Sequence, residues 1–216
     1  VRLTKLGHSC VRLEHEGSTL VIDPGGFSEH DAAQGADAIA VTHEHPDHLD
    51  LERLRVAAKS RRGVRIHAHP AVASQLGELR EQGAEVVEVT QGDAVRMAGF
   101  DVDVYGERHA VIHPDLPVIN NVGFRVSAAG ATLFHPGDAF TIPEDPVGTL
   151  LLPIQAPWSK VSEVIDFARA VRPESAIAVH DGLLNENGAT VYAKNFEVTL
   201  PTVDYSRLLS GEGRDV

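Results

Sequence analysis

Residues 43–48 read His43-Glu44-His45-Pro46-Asp47-His48, which puts three imidazoles and the Asp47 carboxylate within six positions. Imidazole is the commonest protein metal ligand near neutral pH. Mixed with carboxylate it suits Zn²⁺, and also Mn²⁺ or Fe²⁺. Residues 36–42 just before it form a short, mostly apolar run that reads as a buried strand. Ligand sites in α/β proteins gather at such strand ends. Two residues apart on an extended chain, His43 and His45 point the same way. A helix is expected over 46–58, with Pro46 in its first turn, where a missing N–H costs nothing. That would set Asp47 and His48 at a helix start, favoured for a carboxylate by the helix dipole. One short segment can then serve two neighbouring ions. Chance yields this pattern in roughly 0.003 of chains with this many histidines, so a solvated histidine-rich turn is the weaker explanation.

The elements that must position this segment follow from periodicity. Residues 2–6, 10–15 and 19–23 alternate like strands, separated by Gly7 and by Glu16-Gly17-Ser18. Asp23-Pro24-Gly25-Gly26 is a turn signal. A strand over 64–67 precedes a helix over 70–80 that stops near Gly83. Strands are then expected over 85–89, 94–97, 101–105, 122–127, 132–135 and 149–152. Val161, Val164, Ile165 and Ala168 mark one face of an amphipathic helix, with Ser159 as its N-cap and Pro173 ending it. Residues 175–179 form the last clear strand, and 188–209 read as helical in places. No linker or low-complexity stretch divides the chain, so one domain over 1–216 is expected, with sheets inside and helices outside.

Composition narrows the function. The 216 residues include 12 histidines, and 31 acidic against 19 basic side chains give a net charge of −12. Such a surface repels phosphate backbones, and the small basic run of Lys59, Arg61, Arg62 and Arg65 reads as a solvated helix end, so no nucleic-acid partner is expected. The single cysteine, Cys10, allows no internal disulfide, which fits a reducing cytoplasm. No apolar run of about 18 residues or signal-peptide pattern occurs, so neither a membrane span nor secretion is expected. The expected partner is a small-molecule substrate, and a homo-oligomer is left open.

The H-x-H-x-D-H segment after an apolar strand resembles the signature of the metallo-β-lactamase superfamily. Three further segments fit that resemblance in order: His109 in Gly106-Glu107-Arg108-His109, Asp138 in His135-Pro136-Gly137-Asp138, and His180 after Ala176-Ile177-Ala178-Val179. Gly7-His8 and Ile22-Asp23-Pro24 look like the small branch that includes ascorbate-6-phosphate lactonase-like and related hydrolases. The resemblance spans residues 7–181. It implies a four-layer αββα sandwich with two mixed sheets flanked by helices. It also implies two divalent ions, with His43, His45 and His109 on the first, Asp47, His48 and His180 on the second, and Asp138 on both.

Among the remaining histidines, His113 competes with His109, but it precedes Pro114 in a loop, whereas His109 ends a strand. His67 and His69 repeat the H-x-H spacing without a following Asp-His and read as structural or exposed. His8, Asp23, His135, Asn121 and Trp158 are candidates for supporting or substrate contacts, and Asn120 and Lys160 lie in comparable loops. The expected chemistry is hydrolysis by a metal-bridging hydroxide, with Asp47 orienting it or taking a proton. A small ester, lactone or phosphoester is the expected substrate. The alternatives are a nuclease or phosphodiesterase acting on nucleic acid and a non-hydrolytic metal protein of the same fold.

Overall fold

A computed structural model describes residues 1–216. Fourteen strands form two seven-stranded sheets. The first is ordered β14-β1-β2-β3-β4-β5-β6, built from Gly213–Asp215, Arg2–Lys5, Val11–His15, Ser18–Ile22, Ala38–Val41, Arg65–Ala68 and Glu85–Glu88. The second is ordered β13-β12-β11-β10-β9-β8-β7, from Asp204–Ser206, Ser175–Val179, Thr149–Pro153, Ala131–His135, Gly123–Ala128, Phe100–Tyr105 and Ala94–Met97. Each sheet is mixed. Pairing is parallel from β3 through β6 and from β10 through β13, and antiparallel elsewhere.

Alternating burial builds four layers. Ala38 and Ala40 of β4 face Phe124, Leu133, Leu151 and Ile177 across the space between the sheets. Ile39 and Val41, on the other face of β4, pack under the outer helices α1 (Leu51–Ser60), α2 (Pro70–Ala73) and α3 (Gly77–Glu81), through Leu54, Ala57, Val72 and Leu79. Leu150, Leu152, Ala176 and Ala178 likewise pack against α4 (Val161–Val171) and α5 (Glu186–Thr199). Each fully buried leucine or isoleucine here contributes about 1.5–3 kcal/mol. The αββα sandwich expected from the sequence is the architecture present.

Several expected boundaries differ. The first helix begins at Leu51, not at Pro46, because Asp50 accepts the Glu52 N–H as N-cap. Residues 46–48 form a turn closed by His48 N donating to His45 O, so Asp47 owes nothing to a helix dipole. The helix expected over 70–80 is two short helices separated at Ser74–Leu76. The α4 N-cap is Lys160 rather than Ser159, and its backbone N–H donates to Glu163 Oε2 at 2.8 Å. The C-terminal segment holds α5 and two edge strands, β13 and β14, that periodicity did not mark; at three residues each they are too short to show it. No helix is long and apolar enough to cross a membrane.

Candidate metal centre

Every segment that reaches the site leaves the C-terminal end of a strand, the usual place for ligands in parallel sheets. β3 delivers Asp23, β4 delivers residues 42–48, β10 delivers Asp138, β11 leads to Gln155 and Trp158, and β12 delivers His180. The loop after β8 brings in His109, and the one after β1 brings in His8. The larger surface cavities, about 510 and 530 Å³, lie elsewhere: one is lined by Gly130, Gly148 and Glu174 at the opposite strand ends, the other by α5. The site itself is a cluster of side chains in which His45 and Asp47 are only half-buried, and a cavity of about 270 Å³ borders it at His8 and Gly182.

Two groups of potential ligand atoms converge there. His43, His45, His109 and Asp138 form one, and His8, Asp47, His48 and His180 the other. Asp138 stands between them. Its Oδ1 is 3.1 Å from His48 Nε2, and its Oδ2 is 3.1 Å from His180 Nε2, 3.3 Å from His109 Nε2 and 3.9 Å from His43 Nε2. Trp158 Nε1 donates to the same Oδ2 at 2.9 Å. All seven residues expected from the histidine motif and its downstream partners therefore meet in one place.

The rings are held from behind. His48 Nδ1 donates to Asp23 Oδ2 at 2.7 Å, His109 Nδ1 to Ala110 O at 2.5 Å, and His180 Nδ1 to Gln155 O at 2.6 Å. Thr42 Oγ1 gives its hydrogen to Asp23 Oδ2 at 2.7 Å and so accepts from His43 Nδ1 at 3.0 Å. In all four rings the proton is fixed on Nδ1, and the Nε2 lone pair faces inward. His48 Nε2, His109 Nε2 and Asp138 Oδ1 are buried without any hydrogen-bond partner. Lone pairs gathered around a carboxylate repel one another unless a cation lies among them. The donor set and its orphaned atoms fit divalent metal ions.

His8 has the opposite tautomer. Gly182 N–H donates to its Nδ1 at 3.1 Å, which leaves the ring proton on Nε2, 3.3 Å from Asp47 Oδ2. Its ring also lies 4.0 Å, centroid to centroid, from that of His180. His8 therefore supports Asp47 and does not offer a lone pair to an ion.

The electrostatics agree with a site built for positive charge. Burial opposes protonation of His48, but Asp138 and Asp23 on either side outweigh it and raise the ring pKa well above its ordinary value, so the two carboxylates call for a cation at Nε2, either a proton or a metal ion in its place. Burial also opposes the Asp138 carboxylate, yet His48, His109 and His180 hold its pKa well below normal. Asp47 falls to about 2, because His8 and His48 overcome its burial. Burial lowers His43, His45 and His8.

Two of the six non-glycine residues with positive φ lie at the site. Asp23 and His180 both have positive φ, 53° and 57°. Each is held by its own bonds: Asp23 Oδ1 accepts from Thr42 N at 2.8 Å, and His180 N donates to His8 O at 3.0 Å. Gly137 is also left-handed, and a Cβ there would run into Asn121 Oδ1 and Thr42. Asn121 uses that oxygen to accept from Asp138 N at 2.9 Å and donates to Pro136 O, which fixes the Asp138 loop. His135 is buried and bonds Ser9 O and Gly137 N, bracing the same loop.

Thr42, Gln155, Gly182 and Gly25 also build the site, and the sequence did not single them out. Gly25 packs on the Asp47 backbone, where a Cβ has no room. A Thr directly preceding the motif was the one visible signal, since it can bridge Asp23 and His43. Of the residues set aside, His113 is exposed and accepts from Asp115 N, and Asn120 and Lys160 are exposed away from the ligand atoms.

A family model described as "Beta-lactamase superfamily domain" matches residues 2–180. Protein Rv0786c of Mycobacterium tuberculosis is 38% identical over 195 residues, 89% of each chain. A UPF0173 metal-dependent hydrolase of Carboxydothermus hydrogenoformans is 28% identical over 196 residues, covering 83% of this chain and 84% of the relative. Igni18, a metallo hydrolase from Ignicoccus hospitalis, shares the fold at a TM-score of 0.75 and 18% identity, over 100% of this chain and 99% of its own. The chain belongs to the metallo-β-lactamase superfamily.

Proposed function

We propose that residues 1–216 form one hydrolase domain that holds two divalent metal ions and cleaves a small ester, lactone or phosphoester. The observation that carries this reading is the inward lone pairs of His43, His48, His109 and His180 around one buried carboxylate. His43, His45 and His109 would hold one ion and Asp47, His48 and His180 the other, with Asp138 shared. An imidazole-rich set favours Zn²⁺, and the more anionic second set accepts Mn²⁺ or Fe²⁺ as well.

When bound, such ions lower the pKa of water and stabilise negative charge developing on oxygen. The protein's own groups do the positioning. Asp23 fixes Thr42 and His48, so both ends of the six-residue motif share one anchor. Trp158 N–H keeps the shared carboxylate in place and shields it from bulk water. Asp47, the most exposed carboxylate of the set at 21%, lies 3.3 Å from His8 Nε2 and would orient water or accept its proton.

The test is elemental analysis after dialysis, joined to a panel of p-nitrophenyl esters, lactones, thioesters and phosphodiesters. The expected result is close to two metal equivalents per chain, and turnover that chelation abolishes and added metal restores. Unchanged turnover by metal-free protein would contradict the proposal.

A further inference from the structure

Eleven large apolar side chains stand exposed on this chain, and seven of them lie on the loops that carry the site. Phe27 and Leu183 form one lip. The Phe27 ring meets His8 edge-on at 5.4 Å, and Leu183 follows the Gly182 N–H that binds His8. A second lip carries Val111, Ile112, Leu116 and Val118, on the loop after His109, with Ile142 beyond Asp138. These two loops are joined at their bases, where Ala110 N donates to Asp138 O at 2.8 Å. Exposed apolar side chains clustered around a polar centre mark a binding surface, whereas scattered ones need no explanation.

The charges on these loops narrow the occupant. Glu29, Glu107, Asp115, Glu144 and Asp145 are exposed there, against Arg108 and Lys160. The acidic groups repel phosphate, and the apolar side chains favour a hydrocarbon chain by taking it out of water. We propose that the two lips bind the apolar chain of the substrate, so that the substrate class is an uncharged acyl ester or acyl-bearing lactone and not a phosphoester. The inference rests on the hydrolase reading above. The reaction balances with water alone: its oxygen bonds to the acyl carbon, the acyl C–O bond breaks, and the departing alkoxide takes a proton from the water.

The test uses the metal-loaded protein with p-nitrophenyl esters from acetate to decanoate, beside bis-p-nitrophenyl phosphate. Binding of methyl n-alkyl ketones, which cannot be hydrolysed, is followed by fluorescence of Trp158, the chain's one tryptophan. Ester kcat/KM should rise, and ketone Kd fall, roughly two- to fourfold per added methylene until the rim is filled. The double variant Ile112→Ser/Leu116→Ser should flatten both slopes, while Val198→Ser, on α5 and 78% exposed, should keep them. Flat slopes in the wild type, or faster turnover of the phosphodiester than of any ester, would overturn the inference while leaving metal-dependent hydrolysis intact. A wild-type dimer that the double variant converts to monomer in light scattering would assign the rim to a second copy and overturn it as well. Failure of the whole ester, lactone and phosphodiester panel would instead remove the hydrolase reading beneath it, and ketone binding would still report on the rim.

Discussion

Two His-x-His pairs lie on neighbouring parallel strands and end in different places. His43 and His45 follow β4, while His67 lies within β5 and His69 just after it. In register His67 sits opposite Ala40, three residues short of His43. Ala40 faces the space between the sheets, so His67 does too, and both its ring nitrogens are buried without a partner. His69 is used locally, as its Nδ1 accepts from Ala71 N at 3.2 Å to cap α2. The β4 pair instead emerges past the sheet, where Thr42 and Asp23 set ring tautomers and Asp138 faces the lone pairs. Spacing brings two imidazoles together. A metal centre also requires acceptors behind the rings and a carboxylate in front.

The largest effect should come from removing the carboxylate that only the first pair faces. Asp138→Ala should cost more than about 100-fold in turnover and empty most of both sites, because ligand loss exceeds the effect of losing a supporting contact. Metal content measured beside kcat checks this, and a variant that keeps two ions would show that the carboxylate is not shared. Asp23→Asn leaves the rings in place but weakens the acceptor behind His48 and the anchor of Thr42. Metal affinity should fall about 10- to 100-fold in a chelator competition. An unchanged affinity would mean that tautomer control is unimportant here.

His67 sharpens the contrast through stability. Burial pushes its pKa down to about 4, whereas the unfolded ring titrates near 6.5. The unfolded chain therefore binds more protons between those values, and stability falls by about 3 kcal/mol as pH drops from about 6.5 to about 4. His67→Leu should reduce the slope by that amount, the remainder belonging to His8, His43, His45 and His135, and leave metal content unchanged. Urea unfolding of chelator-stripped protein at several pH values gives the answer, and a slope equal to that of the wild type would assign it to other groups. The smallest effect belongs to His69→Ala, which should cost at most about 1 kcal/mol through the lost cap and nothing in turnover. A thermal melt and an activity assay together test it.

The sequence carried the fold where periodicity was long, as in β4, β12 and the apolar face of α4. It misjudged the start of α1, because Pro46 and Asp50 are both good helix-start residues and only the Asp50 side-chain bond chooses between them. The candidate metal centre was legible in residue type: His43, His45, Asp47, His48, His109, Asp138 and His180 all converge. His8 could be placed near the site but not given a role, since its tautomer depends on Gly182, far along the chain. Asn121 and Trp158 were candidates for supporting or substrate contacts by their loops alone, and the geometry gives both the same task, holding Asp138. Gln155 and Gly25 act through backbone atoms, which leave no trace in side-chain chemistry.

Membership of the first pair, and not the second, in a two-ion centre is tested by metal stoichiometry after stripping and reconstitution with Zn²⁺, on the wild type, His180→Ala and the double variant His67→Leu/His69→Ala. The expected result is about two equivalents for the wild type, about one for His180→Ala, and two again for the double variant. Loss of metal from the double variant, with two ions retained by His180→Ala, would contradict the account.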